Sequence, residues 1–366
     1  VANRLYLDHA ATTPMLPQAA EAVVRGLACW ANPSSPHAEG RAARAMLESA
    51  RNVLKTAYRW PGELILTSGA TEAIWMALTR AQVASVLVGA TEHEAVLRAA
   101  PEAVRLGVRP DGILNLDALA RELAVAPAPA LVAVQWANSE TGVIQPIAEI
   151  AQIVHAAGGR LFVDAAQMPS SWNDHPPQDV ADLIAISGHK RGGPAGIGGL
   201  LVRDLALLLP TGGQERGYRG GTENMPAALG FAAAVAVAED LAAMVSLRAR
   251  LDSAIEALGG EVVAARALRA PHIASYRMPG LSAAAQLIRF DLAGIAVSAG
   301  SACSSGTMRP SHVLAHMGWD GAAASEVVRV SFARTTTPAD VERFIAAWAS
   351  VARDLRTRGE PAEELL

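Results

Sequence analysis

Only two of the 366 residues are cysteine, Cys29 and Cys303. Two thiols cannot build a disulfide framework, and neither belongs to a CxxC pair or to a Cys/His cluster with zinc spacing, so a structural metal is not expected. Aromatic residues make up just 4% of the chain. Basic residues are not in excess: the formal charge is −4, which gives no positive field for nucleic acid. Long apolar runs are missing as well. The alanine-rich stretch from Pro226 to Ala238 is cut by Glu239 and Asp240, short of the roughly 20 residues a membrane span requires. At the amino end, Val1 to Asp8, no basic segment precedes an apolar block, so no secretory signal is expected and the reading is cytoplasmic. Cys29, among Val23, Val24, Leu27 and Trp30, is expected on the buried face of an apolar helix. What is left is an ordinary globular chain, 51% hydrophobic, suited to a small-molecule substrate.

Alternation dominates from Glu63 to about Val202. Runs of β-type residues at Leu64–Thr67, Val86–Val88, Leu131–Val134, Leu161–Val163 and Leu183–Ile186 are separated by helical patterns. This predicts an α/β fold with a mainly parallel sheet covered by helices. Ligands of such sheets collect beyond the carboxyl ends of the strands, so the residues after each run carry the interest. They are Ser68-Gly69-Ala70-Thr71, Glu92-His93, Asn138-Ser139-Glu140, Asp164 to Gln167 and Ser187 to Lys190. A long helix precedes this core, with Ala42, Ala45, Met46, Ser49, Ala50, Val53, Leu54 and Ala57 on one face. Near Arg250 the pattern changes to a smaller α+β unit. Val328, Val330 and Phe332 alternate with Arg329, Ser331 and Ala333 as in a half-buried strand. A closing helix, capped by Thr337 with Pro338 in its first turn, buries Val341, Phe344, Ile345, Trp348, Val351 and Leu355. The expected division is 15–250 for the large unit, with 1–14 and 251–366 forming the small one.

Asp164 and Lys190 each follow a predicted strand and therefore face one cleft. A lysine amine and a carboxylate together suit pyridoxal phosphate, which needs the amine for covalent attachment and the carboxylate to keep its ring nitrogen protonated. Ser68 to Thr71 opens a helix rich in Ile74, Met76 and Leu78, so its free backbone N–H groups and the Thr71 hydroxyl form a phosphate cup that includes Ala70. Ser187 and His189 add donors. The glycine-rich stretch Gly192 to Gly199 lacks the closing Lys-Ser or Lys-Thr of a nucleotide loop and reads as close backbone packing around the lysine. Cys303 lies in Ser298-Ala299-Gly300-Ser301-Ala302-Cys303-Ser304-Ser305-Gly306, a segment with almost no bulky side chain, where an exposed and reactive thiol is expected.

These blocks, together with Tyr6 to Pro14, Asn32-Pro33-Ser34-Ser35, Thr67 to Glu72, Thr91-Glu92-His93 and Gly220 to Asn224, resemble the cysteine desulfurases of the nitrogen-fixation and iron–sulfur-cluster type. Those enzymes fall within the class V aminotransferase group of pyridoxal-phosphate enzymes. The resemblance runs nearly end to end and implies a fold type I architecture with a seven-stranded sheet. It implies that Lys190 carries pyridoxal phosphate, His93 stacks on the ring, Asp164 meets the ring nitrogen and Gln167 the ring oxygen. It assigns the phosphate to Thr71, Ser187 and His189, with Thr222 completing the partner subunit's site in a homodimer. Arg334, with Asn32 nearby, would clamp the carboxylate of an L-cysteine substrate, and Cys303 would take its sulfur for a sulfur-acceptor protein, such as an iron–sulfur scaffold. Where the family has two adjacent asparagines, this chain has Asn138-Ser139. Asn138 takes the ring contact only if the loop shifts; otherwise a shorter contact from Ser139 or water serves. Selenocysteine lyases and other class V aminotransferases share the scaffold, and a non-catalytic sulfur-transfer scaffold is a further alternative.

Overall fold

The computed structural model describes residues 4–172, 176–300 and 310–359; Cys303 lies outside them. Among the described residues the main sheet has seven strands: β2 (Glu63–Thr67), β3 (Ser85–Gly89), β4 (Val104–Leu106), β5 (Ala130–Gln135), β6 (Arg160–Asp164), β7 (Leu183–Ser187) and β8 (Gly198–Val202). Their order is β2-β8-β7-β6-β5-β3-β4, and every pairing is parallel except those of β8, which runs antiparallel to both β2 and β7. The five expected strands are all present. β4 is too short and too exposed to announce itself. β8 coincides with part of the glycine-rich stretch, because a Cβ at Gly198 would lie 2.7 Å from the Cα of Gly69. Glycine there lets two backbones touch where β2 turns into the next helix.

Helices α1 (Pro17–Leu27), α2 (Ala38–Ala57), α3 (Ala70–Arg80), α4 (Glu94–Ala99), α5 (Leu116–Val125), α6 (Ile147–Ala156) and α7 (Met225–Val235) accompany this sheet. Two apolar layers sandwich it. One holds Leu47, Leu54, Val132, Val134, Trp136 and Val163; the other holds Ile65, Ile74, Leu131, Phe162 and Leu200. Strands buried on both faces read as continuous Val/Ile/Leu runs, which is why they were legible. The expectation for Cys29 is corrected. Helix α1 buries its small residues Ala19, Ala22 and Gly26, not its large ones. A Cβ on Gly26 would stand 2.6 Å from the Cα of Pro226, so the close approach of α7 selects glycine. Val24 and Leu27 are consequently 66% exposed and Trp30 81%, while Cys29 sits half-buried beyond the helix end, packed against the main core.

A second, four-stranded sheet runs β12-β13-β10-β9, from β9 (Glu261–Val262), β10 (Ile273–Arg277), β12 (Ser298–Ala299) and β13 (Val327–Ser331), all antiparallel. The amino-terminal β1 (Leu5–Tyr6) joins this region by pairing with β11 (Ile295–Ala296). The scarce aromatics concentrate here: Tyr276, Phe290, Phe344 and Trp348 are fully buried together, with Phe290 and Trp348 stacked at 6.1 Å. A small core gains bulk most cheaply from large rings. The last helix, α12 (Pro338–Gly359), starts with a reciprocal cap in which Asp340 N–H donates to Thr337 Oγ1 and Thr337 N–H to Asp340 Oδ2. β13 departs from expectation. It is buried on both faces, Arg329 and Ser331 included, because its polar face turns toward the large unit and the amino-terminal segment instead of solvent.

Candidate active site

Topology brings the chemistry together. β6 ends at Asp164 and its parallel neighbour β7 ends at Ser187, with Asp164 opposite Ala185 in register. The chain then makes a short 3₁₀ turn over His189–Arg191, which swings Lys190 back over the strand ends. The Lys190 amine is buried, and burial lowers its pKa from 10.5 to about 8; Asp164 opposes this, while Arg329 and Arg191 reinforce it. The carboxylate and both guanidinium groups thus stand within electrostatic range of the amine. Asp164 is itself buried and accepts from Ala166 N–H at 2.9 Å through Oδ1.

His93 caps α4, its Nδ1 accepting from Ala95 N–H at 3.1 Å. Its ring opens to the cleft, yet crowding by protein, together with the Lys190 charge, lowers its pKa. A neutral imidazole results, the form that suits both stacking and proton exchange. Gln167 is buried. Its Nε2 donates to the Ala10 carbonyl, and its Oε1 has no partner among the described residues, so hydrogen-bonding capacity is left for a bound group.

At the neighbouring strand end, the first helical bond of α3 runs from Ala73 N–H to Gly69 O. The N–H groups of Ala70, Thr71 and Glu72 fall outside that ladder and face the helix mouth, a ready anion site. Thr71 is exposed there and Ser187 is buried at the end of β7. His189 hydrogen-bonds Thr12 Oγ1 at 3.2 Å through Nδ1 and is held toward the neutral form by burial and Lys190. An amine of lowered pKa, a facing carboxylate, a neutral imidazole, an amide with spare capacity and an anion cup are the donor set pyridoxal phosphate requires, and the residues present fit it.

Other expected residues lie differently. Asn138 is a hub: its Nδ2 donates to Thr91 O and Gln135 Oε1, while its Oδ1 accepts from Glu140 N–H, Thr141 N–H and Thr141 Oγ1. Both donors and the acceptor are used internally, so Asn138 holds its loop together and has no group to spare for a ring. Ser139 is half-buried, its carbonyl accepting from Arg329. Arg334 is partly buried in a cage formed by Glu239 and the carbonyls of Ala234, Val237 and Arg191. A carboxylate ligand would share it with Glu239. Asn32 is exposed and its Oδ1 accepts from Ser34 N–H. Thr222 is exposed on the loop before α7.

Sequence reasoning named three further residues without giving them a role. Arg329 is buried between Asp8 and the Ser139 carbonyl, with Nε unpartnered among the described residues; an arginine on the polar face of an alternating strand was its only signal. Glu92, directly before His93, is fully buried; burial pushes its pKa well up, and its Oε1 accepts from Gln135 N–H. The third is Glu140, buried against Ser311.

The family model for class-V aminotransferases matches residues 5–344. The chain belongs to that family. Membership brings pyridoxal phosphate as the cofactor. The chain is 36% identical to a cysteine desulfurase of Cereibacter sphaeroides, covering 97% of each chain. It is 35% identical to an IscS-like cysteine desulfurase of Mycobacterium tuberculosis, covering 92% of this chain and 93% of that one. An X-ray structure of a NifS-like protein from Rickettsia africae superposes with a TM-score of 0.87 at 30% identity, over 96% of this chain and all of the other.

Proposed function

We propose that this protein is a cysteine desulfurase, converting L-cysteine to L-alanine with transfer of sulfur to Cys303. The observation that carries the proposal is the buried amine of Lys190, with its pKa lowered to about 8 between Asp164 and Arg329, in a chain akin end to end to curated desulfurases. Lys190 would hold the cofactor, which when bound would supply an electron sink for the substrate's α-carbon. The chain's own residues supply the rest. Asp164 would keep the cofactor's ring nitrogen protonated, and Lys190, an amine with its pKa lowered to about 8, would be the base for the α-proton. His93, its pKa lowered by burial and by Lys190, would exchange protons beside it. The N–H groups at the head of α3, with Thr71, Ser187 and His189, anchor the phosphate.

Arg334 orients the substrate carboxylate, its charge held in place by Glu239. The Cys303 thiolate attacks the substrate sulfur; the Cβ–S bond breaks, its electron pair and a proton go to the β-carbon, and an S–S bond forms on Cys303. Cysteine and thiol thus give alanine and a persulfide, with atoms and electrons balanced. A sulfur-acceptor protein then takes the sulfur onward.

The protein acts as a homodimer in this reading. Thr222 is exposed on a loop stapled by the Arg51–Glu215 and Arg219–Glu72 ion pairs, where it is free to enter a partner's phosphate site, and Val24, Leu27 and Trp30 offer an apolar strip. The chain divides, on the same reading, into a large unit of 15–250 and a small one of 1–14 and 251–366, the two kinds of core meeting near Arg250. The test replaces Cys303 with alanine. Alanine formation from L-cysteine collapses to background while the absorption of Lys190-bound cofactor persists; undiminished turnover in that variant sinks the proposal.

A further inference from the structure

Residues 300 and 311 flank the segment that carries Cys303, and both meet the same atom. Ser311 Oγ donates to Glu140 Oε2 at 2.5 Å. On the other side, a Cβ at Gly300 would collide with that same oxygen and stand 3.0 Å from the carboxyl carbon and 3.6 Å from Ser311 Cβ. Only a glycine lets the incoming chain lie against the carboxylate. Ser311 Oγ accepts in turn from Leu314 N–H at 3.1 Å, capping the short helix α10 (His312–His316), and His312 Nε2 bonds the Glu92 carbonyl at 2.9 Å beside His93.

Glu140 is in turn fixed by its own backbone. Its N–H donates to Asn138 Oδ1 and its carbonyl accepts from Ser275 Oγ, while the preceding carbonyl, that of Ser139, accepts from Arg329. One buried carboxyl group therefore joins the loop between His93 and Arg329 to both ends of the sulfur-accepting segment. The cost of burying it is high unless it is satisfied, and among the described residues Oε2 accepts from Ser311 Oγ and packs against Gly300.

We propose that Glu140 is a positioning residue for sulfur transfer: its carboxyl group ties Gly300 and Ser311 to the Asn138–Glu140 loop and so sets the point from which the Cys303 thiol reaches the substrate. Cys303 lies three residues beyond Gly300, a length of chain that spans at most about 11 Å, so a shifted root moves the thiol directly. The proposal rests on the desulfurase reading for its chemistry.

The experiment compares two substrates in the cofactor-loaded protein. L-Cysteine needs Cys303. β-Chloro-L-alanine needs only removal of the α-proton: it loses chloride, and the product hydrolyses to pyruvate and ammonia with no thiol involved. For Glu140→Ala, alanine formation falls by about tenfold to a hundredfold, as when a reacting group is held out of place, while pyruvate formation stays within about twofold of the parent. Ser311→Ala, a milder cut, carries the same comparison with a loss of roughly threefold should Glu140→Ala fail to fold. Equal losses on both substrates, or undiminished alanine formation, overturn the proposal. Absence of alanine formation in the parent protein strikes the desulfurase reading instead. The anchor is then judged by alkylation of Cys303 read by peptide mass: at least about threefold faster in Glu140→Ala if the roots are released, and an unchanged rate overturns it.

Discussion

The Lys190 amine is the group whose behaviour can be worked out most directly. An unperturbed lysine at pKa 10.5 has about one molecule in three thousand as free base at pH 7, whereas one at about 8 has about one in ten. Cofactor capture requires the free base, so the cofactor-free protein should bind pyridoxal phosphate covalently at neutral pH about 300-fold faster than its ammonium would allow in water. The rate should rise with pH and level off above about 8. Asp164 favours the ammonium form and Arg329 opposes it. Asp164→Asn therefore moves the inflection to lower pH and Arg329→Gln moves it to higher pH, each by about one unit, the usual scale for one nearby charge. Rapid mixing of the cofactor-free protein with pyridoxal phosphate between pH 6 and 10, with Nα-acetyl-lysine as the reference amine to correct for the cofactor's own ionisations, reads the profile. An inflection near 10.5, or an upward shift in Asp164→Asn, refutes the assignment of burial and charge at this amine.

Two further outcomes follow from the packing. Gly198→Ala places a methyl group 2.7 Å from Gly69 Cα, so the turn into α3 must yield; cofactor retention on dialysis should drop by about tenfold or more with little change in far-UV dichroism, the displaced N–H groups no longer converging on the phosphate. Glu215→Ala strips the buried Arg51 of its buried charge partner and Leu66 N–H of its acceptor, costing about 3 kcal/mol in denaturant unfolding, since the guanidinium then keeps only the half-exposed Glu48 and the Leu64 carbonyl.

Much of the architecture was legible because its signals are local. Buried parallel strands are continuous apolar runs, α12 carries its own cap in Thr337 and Asp340, and the residues just beyond each strand are where such sheets place ligands. Lys190, Asp164, His93 and the Ser68–Thr71 cup could therefore be named from sequence. Three outcomes could not. The antiparallel insertion of β8 between β2 and β7 depends on pairing partners distant in sequence. The exposure of Val24, Leu27 and Trp30 depends on which side of α1 admits α7, a matter of steric fit at Gly26. The uses of Asn138, Arg329 and Glu140 depend on three-dimensional neighbours.

Lys190 and Asp164 illustrate the boundary. Sequence alone determined that an amine and a carboxylate follow two strands of one sheet, since periodicity and turn residues are properties of the chain. Tertiary structure alone decided that β6 and β7 are adjacent, that Arg329 approaches from β13, and that the amine is crowded by protein. Its lowered pKa arises from desolvation and from charges brought close by folding, and neither exists until distant parts of the chain meet.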